Sequence, residues 1–121
     1  MNKPTMIIGA SSKPDRYANR AQRMLKEHDH TTIPVNPIEE KILGDPVYKQ
    51  PADYQGELDT VTLYVRPERL EPIVSDLISL KPKRVIFNPG TEDPKLETQF
   101  SNAGIEVVEA CTLVLLSTGH Y

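Results

Sequence analysis

The residues best suited to chemistry lie in turns that follow short apolar runs. Gly9-Ala10-Ser11-Ser12 sits between such a run and a helical pattern. It offers what a phosphate needs: a glycine for close backbone passage, hydroxyls, and the unpaired N–H groups and positive dipole end of the next helix. Lys13 and Arg16 can add positive charge. Val35-Asn36-Pro37, Val65-Arg66-Pro67 and Asn88-Pro89-Gly90-Thr91-Glu92-Asp93 have the same character, small or polar residues ahead of a helix or loop. The competing reading of the first turn is a tight corner at Gly9 with Ser12 or Asp15 capping the helix. For Glu92-Asp93 the expectation is a cap on a helix starting near Pro94.

A dinucleotide site is disfavoured. The G-x-G-x-x-G spacing would fall on Gly9, Ser11 and Pro14, so its second and third glycines are missing. The acid that holds ribose hydroxyls at the end of the second strand is replaced by Val35-Asn36-Pro37, and Glu39 and Glu40 arrive only after a proline that redirects the chain. Catalytic groups are equally scarce. Cys111, the single cysteine, lies among Val107, Val108, Leu113 and Val114 and reads as a small buried residue without a base partner. His28 and His30 fall at the end of the first helix, where a cation meets the dipole favourably, and they lack a third metal ligand. His120 lies in the tail. Arg16, Arg20 and Arg23 repeat at helical spacing and read as a solvated face. No catalytic residue and no metal site are assigned.

The elements that must position these turns alternate. Strands are expected at Thr5–Gly9, Thr32–Val35, Thr60–Val65, Arg84–Phe87 and Ile105–Glu109, each rich in Val, Ile, Leu or Thr, as in strands covered on both faces. Between them, Arg16–His28, Pro67–Leu80 and Lys95–Ala103 carry apolar residues at helical spacing. Pro67 suits a first turn and Gly104 a helix stop. The segment 37–59 is irregular, with Ile42–Tyr48 suited to a turn or an extra short strand. Strands separated by helices imply right-handed crossovers and a mostly parallel five-stranded sheet, an α/β doubly wound three-layer sandwich. In such a sheet, ligands bind outside the carboxyl ends of the strands.

Size and charge narrow the class. The 121 residues suit one domain, 1–121, and a core modest enough to leave room for homo-oligomerisation or a protein partner. A net charge of −3 offers no global attraction for nucleic acid or an anionic membrane. No apolar run approaches the roughly 20 residues that span a bilayer, and Met1-Asn2-Lys3-Pro4 does not begin a signal peptide. With a lone cysteine, the expected setting is the reducing cytoplasm.

Taken together, the four strand-end motifs resemble those of the small stand-alone CoA-binding domain proteins. These are Rossmann-like relatives of the CoA-binding domain of the succinyl-CoA synthetase alpha subunit. The matching residues are Gly9-Ala10-Ser11, Val35-Asn36-Pro37, Tyr64-Val65-Arg66-Pro67 and Asn88-Pro89-Gly90-Thr91-Glu92, in order across nearly the whole chain, and Cys111 looks like the family's cysteine after the last strand. The resemblance implies coenzyme A as ligand. Gly9, Ala10, Ser11 and Ser12, with the next helix, would cradle its pyrophosphate. Val35, Asn36 and Pro37 would line the adenine–ribose side, and Arg16 or Lys41 would meet the ribose 3′-phosphate. Val65, Arg66 and Pro67, with Pro89, Gly90 and Thr91, would follow the pantetheine arm. The implied activity is non-catalytic binding of CoA or acyl-CoA. The alternative, a nucleotide-dependent Rossmann-type enzyme or a partner-completed acyl-CoA ligase subunit, lacks a nucleophile or acid–base pair at the strand ends.

Overall fold

The computed structural model describes residues 1–121. In chain order the elements are β1 (Thr5–Ile8), α1 (Tyr17–Glu27), β2 (Thr32–Val35), the short strands β3 (Lys41–Ile42) and β4 (Asp45–Pro46), a 3-10 turn at Pro51–Asp53, β5 (Thr60–Leu63), α2 (Pro67–Leu70), α3 (Val74–Ser79), β6 (Arg84–Phe87), α4 (Pro94–Asn102), β7 (Glu106–Glu109) and α5 (Thr112–Ser117).

Every residue of β1, β2 and β5 is buried, which is why these segments are so rich in Ile, Val and Thr. They form an all-parallel sheet in the order β2-β1-β5-β6-β7. Counted along the chain, its strands run 2-1-3-4-5, the flavodoxin-like form of the doubly wound fold, and the order reverses between β1 and β5.

Alternation along the strands divides the core. Met6 and Ile8 of β1 join Val61, Leu63, Val85 and Phe87 beneath α2, α3 and α4 in a cluster of 14 buried residues. Ile7 faces the other way, toward Ala18 and Leu25 of α1 and Leu116 of α5, in a cluster of only 6. The sheet's side of that smaller core is partly polar, for Thr5, Thr60 and Thr62 are fully buried.

Most elements fall where the sequence places them, with informative exceptions. The single helix expected over Pro67–Leu80 is broken into α2, a 3-10 turn at Glu71–Ile73 and α3. Pro72 is the cause: it has no N–H to continue the ladder, and its ring collides with the carbonyl one turn earlier. β1 stops at Ile8 because Gly9 turns the chain with φ +87°, and β5 ends at Leu63 rather than Val65. The irregular crossover holds a β3–β4 hairpin, turned by Leu43 (φ +52°) and Gly44 (φ +83°). Positive φ at both central residues is the type I′ geometry that matches strand twist. α5 has no counterpart among the elements expected from the sequence. No helix is long and apolar enough to cross a membrane.

Candidate functional site

The reversal between β1 and β5 opens a cleft at the carboxyl ends of the strands, where three loops meet. Gly9 brings the first and third together. A Cβ placed on it would stand 2.8 Å from both the Tyr64 carbonyl oxygen and Val65 Cγ1, so its close backbone approach is to the β5–α2 turn. The second loop is tied to the first by Asn36. Its Nδ2 donates to the Ala10 carbonyl (2.8 Å), while its Oδ1 accepts from the N–H groups of Ile38 (2.7 Å) and Glu39 (3.0 Å). That side-chain turn swings the chain back after Pro37. Glu39, expected to be carried away by the proline, returns to the cleft, where its carboxylate accepts from the Ser12 N–H at 3.0 Å.

The first loop is clamped from below. Asn19, buried in α1, donates to the Ser11 carbonyl (2.9 Å) and accepts from Arg23 Nε (2.9 Å), and Arg23 also donates to the Pro14 carbonyl (2.8 Å). Arg23, exposed on the helix face as expected, therefore also serves as a loop brace. Neither Ser12 nor Asp15 caps α1. Arg16 occupies the N-cap position and no side chain accepts from the first turn; the Asn19 N–H donates to the Arg16 carbonyl (3.1 Å), and those of Tyr17 and Ala18 keep their capacity for an anion.

The cleft encloses about 720 Å3, and Lys13, Arg16, Arg66 and Arg69 line it against one acid, Glu39. A backbone amide already holding a carboxylate oxygen, beside a cleft that four cationic side chains line, is a donor set that suits a di-anionic phosphate group.

Residues 3–117 match the sequence pattern of the CoA binding domain. The chain belongs to this CoA-binding family. An uncharacterized protein of known crystal structure is 45% identical, with a TM-score of 0.94 over 100% of this chain and 99% of its own. A hypothetical protein from Pyrococcus horikoshii OT3 is 30% identical, with a TM-score of 0.89 over 96% of this chain and 82% of that one. The dinucleotide-forming acetyl-coenzyme A synthetase 1 of Candidatus Korarchaeum cryptofilum shares the fold. Its TM-score is 0.75 at 18% identity, over 89% of this chain and 25% of that chain.

Of the residues that the resemblance to the CoA-binding family singles out, the cleft gathers Gly9, Ala10, Ser11, Arg16, Asn36, Pro37, Val65 and Arg66. Ser12 reaches it through its bond to Glu39. Others lie elsewhere. Val35 is buried in the larger core, because strand alternation turns its side chain inward. Lys41 is exposed on the β3–β4 hairpin and is not among the lining residues. Pro67 opens α2. Thr91 is buried, with its hydroxyl donating to the Asn88 carbonyl, and the Gly90 N–H donates to Glu92. Pro89 lines a second, smaller cavity of about 230 Å3 with Asn88, Cys111 and Leu113, and this cavity shares Tyr17 and Tyr64 with the main cleft.

Cys111 is thus half-buried at a cavity wall, at the N-cap position of α5, rather than packed in the core. Burial pushes the Tyr64 hydroxyl up to about 12, so it remains protonated. Five lining residues have no site role in the sequence reading: Tyr17, Ala18, Ile38, Glu39 and Arg69. Arg69 follows Arg66 by three residues, a helical spacing that would have placed both on one side of a first turn. Glu39 gave no such signal, because its return depends on the Asn36 turn.

Proposed function

We propose that this protein binds coenzyme A or an acyl-CoA without catalysing a reaction on it, holding the pyrophosphate at the β1–α1 loop. The observation that carries the reading is the Ser12 amide, which donates to an anionic oxygen inside a cleft lined by Lys13, Arg16, Arg66 and Arg69. Membership of the CoA-binding domain family supports the identity of the ligand. In this reading the Ser12 N–H and the open first turn of α1 meet the pyrophosphate. Asn36 and Pro37 border the adenosine side, and the arginines supply charge for the phosphates. The smaller cavity behind Tyr17 and Tyr64 receives the pantetheine arm, which brings its end toward Pro89 and Cys111. Bound CoA supplies a thiol or thioester. The chain's contribution is to bind, orient and shield it.

The test is a thermal-melt and calorimetric comparison of CoA, acetyl-CoA and NAD. CoA at a hundredfold excess over Kd should stabilise the fold by about 2.7 kcal/mol. Arg66→Ala should weaken binding without unfolding the chain, since the Arg66 side chain is exposed and caps nothing. Stabilisation by NAD and none by CoA would falsify the reading.

A further inference from the structure

Glu39 is the only acid among the residues lining the main cleft, and it pairs with none of the four cations there. The ion pairs of this protein are Lys26–Asp45 and Lys83–Asp59, both elsewhere. Its carboxylate instead accepts from the Ser12 N–H at 3.0 Å. The arrangement is built. Asn36 holds the Glu39 backbone N–H and also grips the Ala10 carbonyl, so one side chain fixes both loops and aims the carboxylate at Ser12. Nor is the contact needed to join the loops, because Asn36 to Ala10 and the Ala10 N–H to the Val35 carbonyl (3.1 Å) already do so. A carboxylate oxygen on a backbone amide takes the place that a phosphate oxygen would take.

We propose that Glu39 is an affinity- and specificity-setting residue: its carboxylate occupies the anion position of the Ser12 amide in the free protein, and the ligand's diphosphate displaces it. The inference rests on one part of the CoA reading, that the cleft takes a diphosphate at the Ser12 amide. Glu39 is half-buried and its side chain is held by a single hydrogen bond, so it can rotate away while Asn36 keeps its backbone in place. A ligand must therefore outcompete a resident anion. A diphosphate can do this because it reaches the amide and several cations at once, whereas a monoanion exchanges one such bond for another. Glu39 thus lowers affinity for every anion, so that only an anion making several contacts at once still binds at working concentrations.

The experiment titrates CoA, inorganic pyrophosphate and acetate into the wild-type protein, Glu39→Gln and Glu39→Ala by calorimetry, with the Ser12 amide followed by 15N NMR. Glu39→Ala should bind CoA and pyrophosphate about tenfold more tightly than wild type, which corresponds to about 1.4 kcal/mol. Glu39→Gln should fall between, since its neutral oxygen can still accept from Ser12. The Ser12 resonance should move on mutation and again on adding pyrophosphate. If pyrophosphate gains and CoA binds neither protein, the inference stands and the CoA reading falls. If CoA binds wild type and Glu39→Ala equally, or the variant more weakly, the CoA reading stands and this inference is overturned. Failure of both variants to bind pyrophosphate more tightly overturns it as well.

Discussion

At the scale of single residues, two glycines look alike in sequence and differ in what they do. Gly9 and Gly90 both have positive φ, +87° and +93°. A Cβ on Gly90 would meet nothing within 4 Å, whereas one on Gly9 would meet the Tyr64 carbonyl and Val65 at 2.8 Å. Gly90→Ala should therefore cost only the left-handed backbone penalty, about 1–2 kcal/mol. Gly9→Ala should cost clearly more, because the β5–α2 turn must also move. Urea denaturation of the two variants checks the order, and equal losses would mean that the turn yields freely. The same geometry makes Gly9 a poor probe of ligand binding, for a larger residue there disturbs the site before any ligand arrives. Asn36 stands at the other extreme, since one amide side chain satisfies a donor and two acceptor contacts across two loops.

At the scale of elements, the sequence is most legible where a segment is buried on both faces. β2 and β6 match their expected limits because continuous apolar and β-branched runs leave the chain few alternatives. Legibility fails where the signal is short or tertiary. Pro72 broke a helix whose apolar spacing ran unbroken past it. α5 is six residues without a side-chain cap, and what holds it is a buried network that no local pattern announces. Asn88, at the end of β6, donates to Thr62 Oγ1 (2.7 Å) and to the Leu63 carbonyl (2.9 Å), and it accepts from the Thr112 N–H (2.9 Å). One side chain thus joins β5, β6 and the start of α5, where Cys111 and the smaller cavity lie. Asn88→Ala would leave the Thr112 N–H and the Leu63 carbonyl without this partner, at a cost of about 2–4 kcal/mol. It should also raise the reaction rate of Cys111 with thiol reagents as α5 loosens. A variant as stable as wild type, with unchanged Cys111 reactivity, would show that α5 is held by apolar packing alone.

At the scale of the whole molecule, the two ends of the sheet have separate duties. The carboxyl ends carry the cleft, while the opposite ends carry a closing cluster in which Arg84 lies 4.3 Å over the Tyr121 ring and His30 packs against the same ring. Sequence placed His30 at a helix end as a dipole partner. The structure makes it an acceptor, taking the Lys3 N–H on Nδ1 at 2.9 Å. That role requires an unprotonated nitrogen. Burial, and then the positive charges of the amino terminus, His28, Lys3 and Arg84, hold its pKa below the usual 6.5. Because the unfolded chain takes up the proton at the higher pH, His30's contribution is fully present above about 6.5 and is lost as pH falls toward its depressed folded value. Carboxylates titrate mostly below this window, so a fall in urea midpoint between pH 7.5 and 5 should trace largely to histidine. His30→Asn keeps an acceptor oxygen and cannot charge. It should therefore flatten that pH dependence at little cost at pH 7.5. An undiminished slope in the variant would assign the acid sensitivity to other groups and leave the His30–Lys3 contact a neutral one.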